Sequence, residues 1–422
     1  MKTLAVRLYG KDDLRLEEFE LPALKEDEIL AQVISDSICM SSYKAAKQGA
    51  DHKRVPNDVG KNPTMVGHEM SGKIVEVGKK WRNQFKPGMK FSIQPALNYK
   101  GSLGAPGYSY PYIGGDATYI IIPQEVMEMN CLLPFTGGGY FPASLSEPVS
   151  CIAGAFHASF HTEQGSYVHQ MGIREGGTLA LLASAGPMGL GAIDYALHAG
   201  RKPRRIVVTD IDDKRIERAR SFFPPEKIAG EGVELIFCNT RDIEEVPAHL
   251  IELSGGEGFD DVFAFAPVAP VVETGDRILG RNGCLNFFAG PTDAAFTARI
   301  NFYNVHYIGT HIIGTSGGNT DDMIEALELM SAGRINPAMM VTHVGGLNSV
   351  VDTTLNLPKI PGGKKLIYTN IEMDLTAIDE FKEKGSRDPL FAKLAELVEA
   401  QNGLWSVEAE EFLLANASAI SA

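Results

Sequence analysis

Hydrophobic residues in the first 150 positions come in short β-forming runs, Ile29 to Ile34, Gly72 to Val77, Lys90 to Ile93 and Ala117 to Ile122, separated by Gly and Pro. Runs of this length between turn residues predict a compact, mainly β domain. From Thr178 the texture changes. An apolar run, Leu179 to Ala183, leads into a helical stretch, Leu190 to Ala199, and Ile206 to Thr209 precedes a charged helical segment, Asp213 to Phe222. Val233 to Phe237, Val262 to Ala266 and Cys284 to Ala289 read as further strands. Strands alternating with helices imply parallel pairing through crossover helices, the doubly wound arrangement. After about residue 303 the pattern returns to that of the first domain, with a polar helix at Thr320 to Ala332 and a strand at Lys365 to Ile371. In the tail, Phe381, Leu390, Phe391, Leu394, Leu397 and Val398 recur at helical spacing, which predicts two or three amphipathic helices.

At 422 residues the chain exceeds one ordinary core, and 44% hydrophobic with 22% charged residues suits a folded protein of two or three domains. The net charge of −14 repels phosphate backbones and anionic lipid headgroups, arguing against nucleic-acid and membrane-surface roles. An anionic substrate therefore needs a local basic pocket. Five cysteines, an odd number, form no disulfide framework and suit a reducing compartment, so the expected location is the cytoplasm. Arg7 stands where a signal peptide would be apolar. The charge-free run Gly177 to Ile193 is short for a membrane span and is broken by glycines and Pro187, so it reads as a strand entering a helix.

That run contains LLASAGPMGLG, 181 to 191. A glycine-rich turn between a buried strand and a helix lets backbone amides approach a pyrophosphate at the helix N-terminus. Ser184, Gly186, Pro187, Met188 and Gly189 are the candidate cofactor-binding residues, with Ser184 at the usual first glycine of the motif. A second apolar strand ends at Asp210, 24 residues beyond Gly186, close to the spacing at which a carboxylate takes ribose hydroxyls. A carboxylate there repels a 2′-phosphate and favours NAD. Lys214 and Arg215 follow and stand in position to offset part of that preference, so NADP is not excluded; both also read as ordinary solvated helix residues.

In the first domain Cys39 is followed by Ser41 and Ser42, then by Gly67-His68-Glu69, with Glu147 in Ser146-Glu147-Pro148 further on. A thiolate, an imidazole and a carboxylate form the ligand set of a catalytic zinc that keeps one position open. Other groups have plainer readings. His157, His161 and His169 are assigned to packing or solvent, Cys151 to a buried thiol, Tyr99, Tyr108, Tyr110 and Tyr112 to packing or subunit contacts, and Lys53-Arg54 to a solvated loop.

Together with CMSS at 39 to 42, GHE at 67 to 69, FKPGMKF at 85 to 91, GGDATYIIIP at 114 to 123, SEP at 146 to 148 and SAGPMG at 184 to 189, the chain from Lys2 to about Ile371 resembles the zinc-dependent medium-chain dehydrogenases, in particular their sorbitol dehydrogenase branch. The resemblance implies a GroES-like β domain at 1–155 and 303–371, a Rossmann domain at 156–302, a helical extension at 372–422 outside the family pattern, and an active site in the cleft between the domains. It implies that Cys39, His68 and Glu147 hold zinc, with Glu69 an alternate ligand or a close neighbour. Ser42 stands where relatives carry an aspartate that orients the zinc-bound histidine. Ser41 would begin a proton relay, and Lys44 stands where relatives often end it with a histidine. Relatives with a structural zinc carry four cysteines between Gly88 and Gly115; this chain has none there, so one catalytic zinc is expected.

The implied activity is reversible hydride transfer between NAD(H) and a polyol or ketose, with zinc as Lewis acid. The expected substrate is a sugar phosphate such as the sorbitol 6-phosphate and L-sorbose 1-phosphate pair, with Lys44 first and then Lys364 or Lys365 as the bases near the phosphate. The alternatives are an unphosphorylated polyol or secondary alcohol, a zinc-free reductase of the same superfold, and a non-catalytic nucleotide-binding or scaffold protein. Resemblance also implies a homo-oligomer, a dimer or tetramer.

Overall fold

In a computed structural model that describes residues 1–421, the chain divides into two compact units, Met1–Pro148 with Asn319 onward, and Val149–Gly318. The first unit is built on an eight-stranded sheet whose main path runs Thr376–Ala377, Val341–Gly346, Lys364–Tyr368, Ile29–Ile38, Ser71–Val77, Lys90–Ile93 and Leu132–Pro134, with Tyr119–Ile122 paired separately to Ile29–Ile38. Pairing is antiparallel except between Val341–Gly346 and Lys364–Tyr368. The expected β runs therefore exist, but Ile29–Ile38 is longer than the apolar run that marked it. Its C-terminal half carries Ser35, Asp36 and Ser37, all buried, and polar residues inside a core strand do not register as a hydrophobic signal. That half pairs with Lys364–Tyr368, so the zinc-motif end of the strand is held by residues from the far end of the sequence.

The second unit is a six-stranded, all-parallel sheet in the order Glu234–Asn239, Arg205–Asp210, Thr178–Leu182, Phe259–Ala264, Leu279–Phe287, His311–Ile313. The first strand in sequence lies at the centre, and the chain winds outward to one edge and then to the other, as in a Rossmann fold. Leu179, Leu181, Val207 and Val208 are fully buried, the continuous apolar pattern of strands covered on both faces.

The tail is helical as expected, with Phe381–Lys384, Pro389–Ala400 and Val407–Asn416. It belongs to the first unit and packs Phe381, Leu394, Val398, Trp405 and Leu413 into one core with Val344, Leu366 and Tyr368. A buried polar network fastens it. The Glu410 carboxylate accepts the backbone N–H groups of Tyr140 (2.5 Å) and Phe141 (2.8 Å) and the Tyr368 hydroxyl (3.0 Å), while the Trp405 indole N–H donates to that hydroxyl (2.7 Å). Among the described residues no helix is long and apolar enough to cross a membrane.

Candidate metal and dinucleotide sites

Cys39 is the N-cap of the Met40–Gln48 helix, and its sulfur accepts the Ser41 backbone N–H at 3.5 Å. Desolvation pushes the thiol up to about 11, so a metal cation is needed to hold it as thiolate at neutral pH. His68 follows Gly67, whose φ of +89° and close approach to Asp36 and Asp116 leave no room for a Cβ. The His68 ring is buried, with Nδ1 3.3 Å from the Ser42 hydroxyl and Nε2 3.2 Å from the Tyr108 hydroxyl. Burial lowers its pKa, which keeps the imidazole neutral and able to ligate.

Ligand atoms of Cys39, His68 and Glu69 lie within 4.8 Å of one another. This donor set is that of a zinc site. Glu147 lies outside that compact set, yet near enough for its charge to act on Cys39, His68, Tyr108 and Lys364. Glu69 is fully buried and held on both oxygens: Ser37 Oγ donates to Oε2, and Lys364 Nζ makes an ion pair with Oε1. Burial works against the Lys364 charge, but Glu69 and Cys39 outweigh it and raise its pKa. Lys365 is occupied too, donating to the carbonyls of Pro361 (2.8 Å) and Gly363 (2.7 Å). Neither lysine fits the phosphate contact expected of it.

Several site residues escaped the sequence reading. Tyr108, assigned to packing, reaches His68 with its hydroxyl and also bonds Ser41. Ser37 and Lys364 bracket Glu69. Beneath them, Asp36 Oδ1 accepts the Glu69 N–H at 3.0 Å, and burial beside Asp116 raises the Asp36 pKa. Asp36 and Ser37 lie just past the predicted run Ile29 to Ile34, Lys364 just before the predicted strand from Lys365, and Tyr108 in a loop, so no periodic signal marked them.

In the second unit, Thr178–Leu182 runs into the loop that opens the Pro187–His198 helix, with Gly186 as N-cap. Ser184 is buried, donates its hydroxyl to the Leu181 carbonyl (2.7 Å) and its N–H to the Thr209 carbonyl (2.8 Å). A serine thus makes the turn that glycine usually makes, and the strained torsion falls on Ala183, at φ +53°. A Cβ on Gly189 would lie 1.7 Å from the Ser184 carbonyl oxygen, so this close approach demands glycine. The Asp210 carboxylate accepts the N–H groups of Ala185 (3.2 Å), Ile211 (2.8 Å) and Asp212 (3.1 Å), joining the end of its strand to the loop. Lys214 and Arg215 donate backbone N–H groups to the Asp212 cap, and both residues are exposed.

A β unit carrying a Cys, His and Glu cluster and a parallel sheet with a glycine-rich dinucleotide turn define a zinc-dependent, nicotinamide-linked dehydrogenase. The chain belongs to the zinc-dependent alcohol and polyol dehydrogenase family: residues 25–130 match the alcohol dehydrogenase GroES-like domain and residues 187–332 match the zinc-binding dehydrogenase family. It is 52% identical to a mannitol-1-phosphate 5-dehydrogenase of Aliivibrio fischeri over 98% of this chain and 97% of that one. It is 49% identical to an L-sorbose 1-phosphate reductase of Klebsiella pneumoniae over 99% of both. Among solved structures, 2R,3R-butanediol dehydrogenase from Bacillus subtilis superposes with a TM-score of 0.68 at 20% identity, over 87% of this chain and 100% of that one. A zinc-binding dehydrogenase from Sinorhizobium meliloti 1021 bound to NADP gives 0.70 at 18% identity, over 87% and 99%.

Proposed function

We propose that the protein interconverts a phosphorylated hexitol and its ketose phosphate, with NAD(H) as the redox partner and one zinc ion per chain. The observation that carries this reading is the near full-length identity to two dehydrogenases named for sugar or hexitol phosphates. In our reading Cys39, His68 and Glu69 hold the ion and Glu147 faces it as the next carboxylate. When bound, zinc polarises the reacting hydroxyl or carbonyl oxygen, and the nicotinamide gives or takes the hydride.

The chain's own groups do the rest. Lys364 and Ser37 fix Glu69, the Ser42 hydroxyl at Nδ1 orients the His68 ring, and the Tyr108 hydroxyl lies beside Nε2, the nitrogen that would face the ion. The Ser41 and Tyr108 hydroxyls, hydrogen-bonded to each other, pass a proton away from the reacting oxygen, with Lys44 on the same helix as the outer charge. The loop from Ser184 to Gly189 receives the pyrophosphate, and Asp210 selects the unphosphorylated ribose. Five free thiols agree with a cytoplasmic setting.

The test is zinc content together with kcat/KM for L-sorbose 1-phosphate and for L-sorbose, each with NADH and NADPH. About one zinc and a preference for the phosphate ester with NADH support the reading. Equal rates on both sugars would leave an unphosphorylated-polyol dehydrogenase, turnover without zinc would move the chain to a metal-independent reductase, and cofactor binding without turnover on any sugar would leave a scaffold.

A further inference from the structure

A chain of net charge −14 repels a phosphate dianion unless a basic corner receives it, and Lys364 and Lys365, two of the bases suggested by the sequence, are engaged elsewhere. One arginine near the metal set is not. The Arg54 guanidinium lies 5.7 Å from the centre of the Tyr108 ring, the same ring that tilts against His68 at 4.8 Å between centroids. No carboxylate of the described residues forms an ion pair with it, and the side chain is half-buried, so it is both reachable and oriented. Its backbone is fixed at both ends: its carbonyl accepts the Ser109 hydroxyl at 2.6 Å, and its N–H donates to His52 Nδ1 at 3.3 Å. His52 also stacks with Tyr108, ring centroids 5.7 Å apart and 11° from parallel. With Nδ1 accepting, the neutral His52 ring carries its proton on Nε2 as a further donor. Burial first, then the charges of Arg54, Lys53 and Lys44, keep that ring neutral; every charged group acting on it is a base.

We infer that Arg54, above the Tyr108 ring and flanked by His52 and Lys44, is the subsite that receives the phosphate of the substrate. The inference rests on the sugar-phosphate reading above and assigns its recognition. A guanidinium above an aromatic ring and without a carboxylate partner keeps its N–H fork available to pair bidentately with a phosphate. Tyr108 links the two ends of the ligand: its hydroxyl touches the metal-binding imidazole while its face carries the arginine. A ligand with a reacting oxygen at the metal set and an anionic group a few carbons away spans the two. Lys53, exposed on the same turn, lies outside the subsite.

The experiment compares kcat/KM for L-sorbose 1-phosphate and L-sorbose in the wild type, Arg54→Met, Arg54→Lys and Lys53→Met, with inorganic phosphate as competing probe. Arg54→Met should lower the preference for the ester by about tenfold to a hundredfold, the range for charged hydrogen bonds, and weaken inhibition by phosphate in parallel. Arg54→Lys, which keeps the charge and loses the fork, should fall between, and Lys53→Met should stay within about twofold of the wild type. A wild type that prefers the ester with an Arg54→Met variant that keeps the same preference would overturn the assignment and leave the sugar-phosphate reading standing. Equal loss on both sugars would also overturn it, as a structural effect. A wild type indifferent to the phosphate would remove the sugar-phosphate reading, and this subsite with it.

Discussion

The metal set and the dinucleotide turn solve opposite problems. The first gathers Cys39, His68, Glu69 and Lys364, ionisable side chains whose burial is tolerable only because each has a partner. The second is made of backbone: Gly189 admits a carbonyl, Ser184 closes a turn, and Asp210 collects three amides. One site is expensive and distributed along the chain, the other cheap and contiguous. Substitutions should therefore fail differently in the two units.

The widest separation is expected from Cys39→Ser, which exchanges a soft thiolate for a poor ligand. It should abolish zinc binding and turnover while leaving dinucleotide affinity intact, read by metal analysis and NADH fluorescence titration; loss of both affinities together would break the contrast. Next comes Lys364→Met, which strands the Glu69 carboxylate in the core and should cost about 3–5 kcal/mol in urea unfolding, with Glu69→Gln in the same chain recovering part of it. Absence of any recovery would mean that the lysine acts through something other than Glu69. Glu69→Gln alone should weaken zinc affinity by about tenfold to a hundredfold in chelator competition, more than Glu147→Gln. The reverse order would make Glu147 the ligand.

In the second unit Asp210→Ala should raise KM for NAD about tenfold and narrow its advantage over NADP, since it loosens the Ala185 amide and, on the reading proposed above, takes away the acceptor for the ribose. An unchanged NAD to NADP ratio would separate Asp210 from the ribose. The smallest effect is on pH. His343, in the first unit, is lowered to about 4 by burial and by Lys365, so its contribution is present above about 6.5, the unfolded value, and is lost as pH falls toward 4. His161, in the second, is pulled down by burial but raised on balance by its hydrogen bond to Asp261, so its contribution is complete below the unfolded value and fades as pH rises through the raised one. Hydrogen exchange corrected for intrinsic rates, from about pH 7.5 to about pH 5, should loosen Val341–Gly346 and tighten Phe160–His161. Parallel responses would show that other groups dominate.

The same contrast decides what the sequence could reveal. The Rossmann turn and its strands were readable because their logic is local: apolar runs, small residues at fixed offsets, an acid at the next strand end. The cysteine, histidine and glutamate of the metal set were readable as ligand types, although the resemblance put Glu147 first and Glu69, the carboxylate of the compact cluster, only as an alternate. Their supports were not. Lys364 meets Glu69 across 295 positions, so the sequence offered it as a base for the substrate phosphate and gave no sign of its buried carboxylate partner. Tyr108 looked like packing because an aromatic in a loop carries no mark of what its hydroxyl touches. The tail was legible as helices from its spacing, but Glu410 resembled any other acid of an amphipathic face, and only its two amide partners at Tyr140 and Phe141 set it apart.

The discontinuity of the first unit also has a consequence in time. As the chain leaves the ribosome, Ile29–Ile38 is made early, yet the strand that pairs with its Ser35 to Ile38 half, Lys364–Tyr368, is translated more than three hundred residues later. Glu69 waits 295 residues for its lysine, and the Tyr140 and Phe141 amides wait 270 and 269 for Glu410. The parallel sheet of Val149–Gly318 is complete well before any of these arrive. The nascent protein therefore holds a finished parallel sheet while the sheet of its metal-binding half still has an open edge, and a chain that ends between residues 318 and 364 should keep the dinucleotide fold but lack the strand and the lysine that support Glu69.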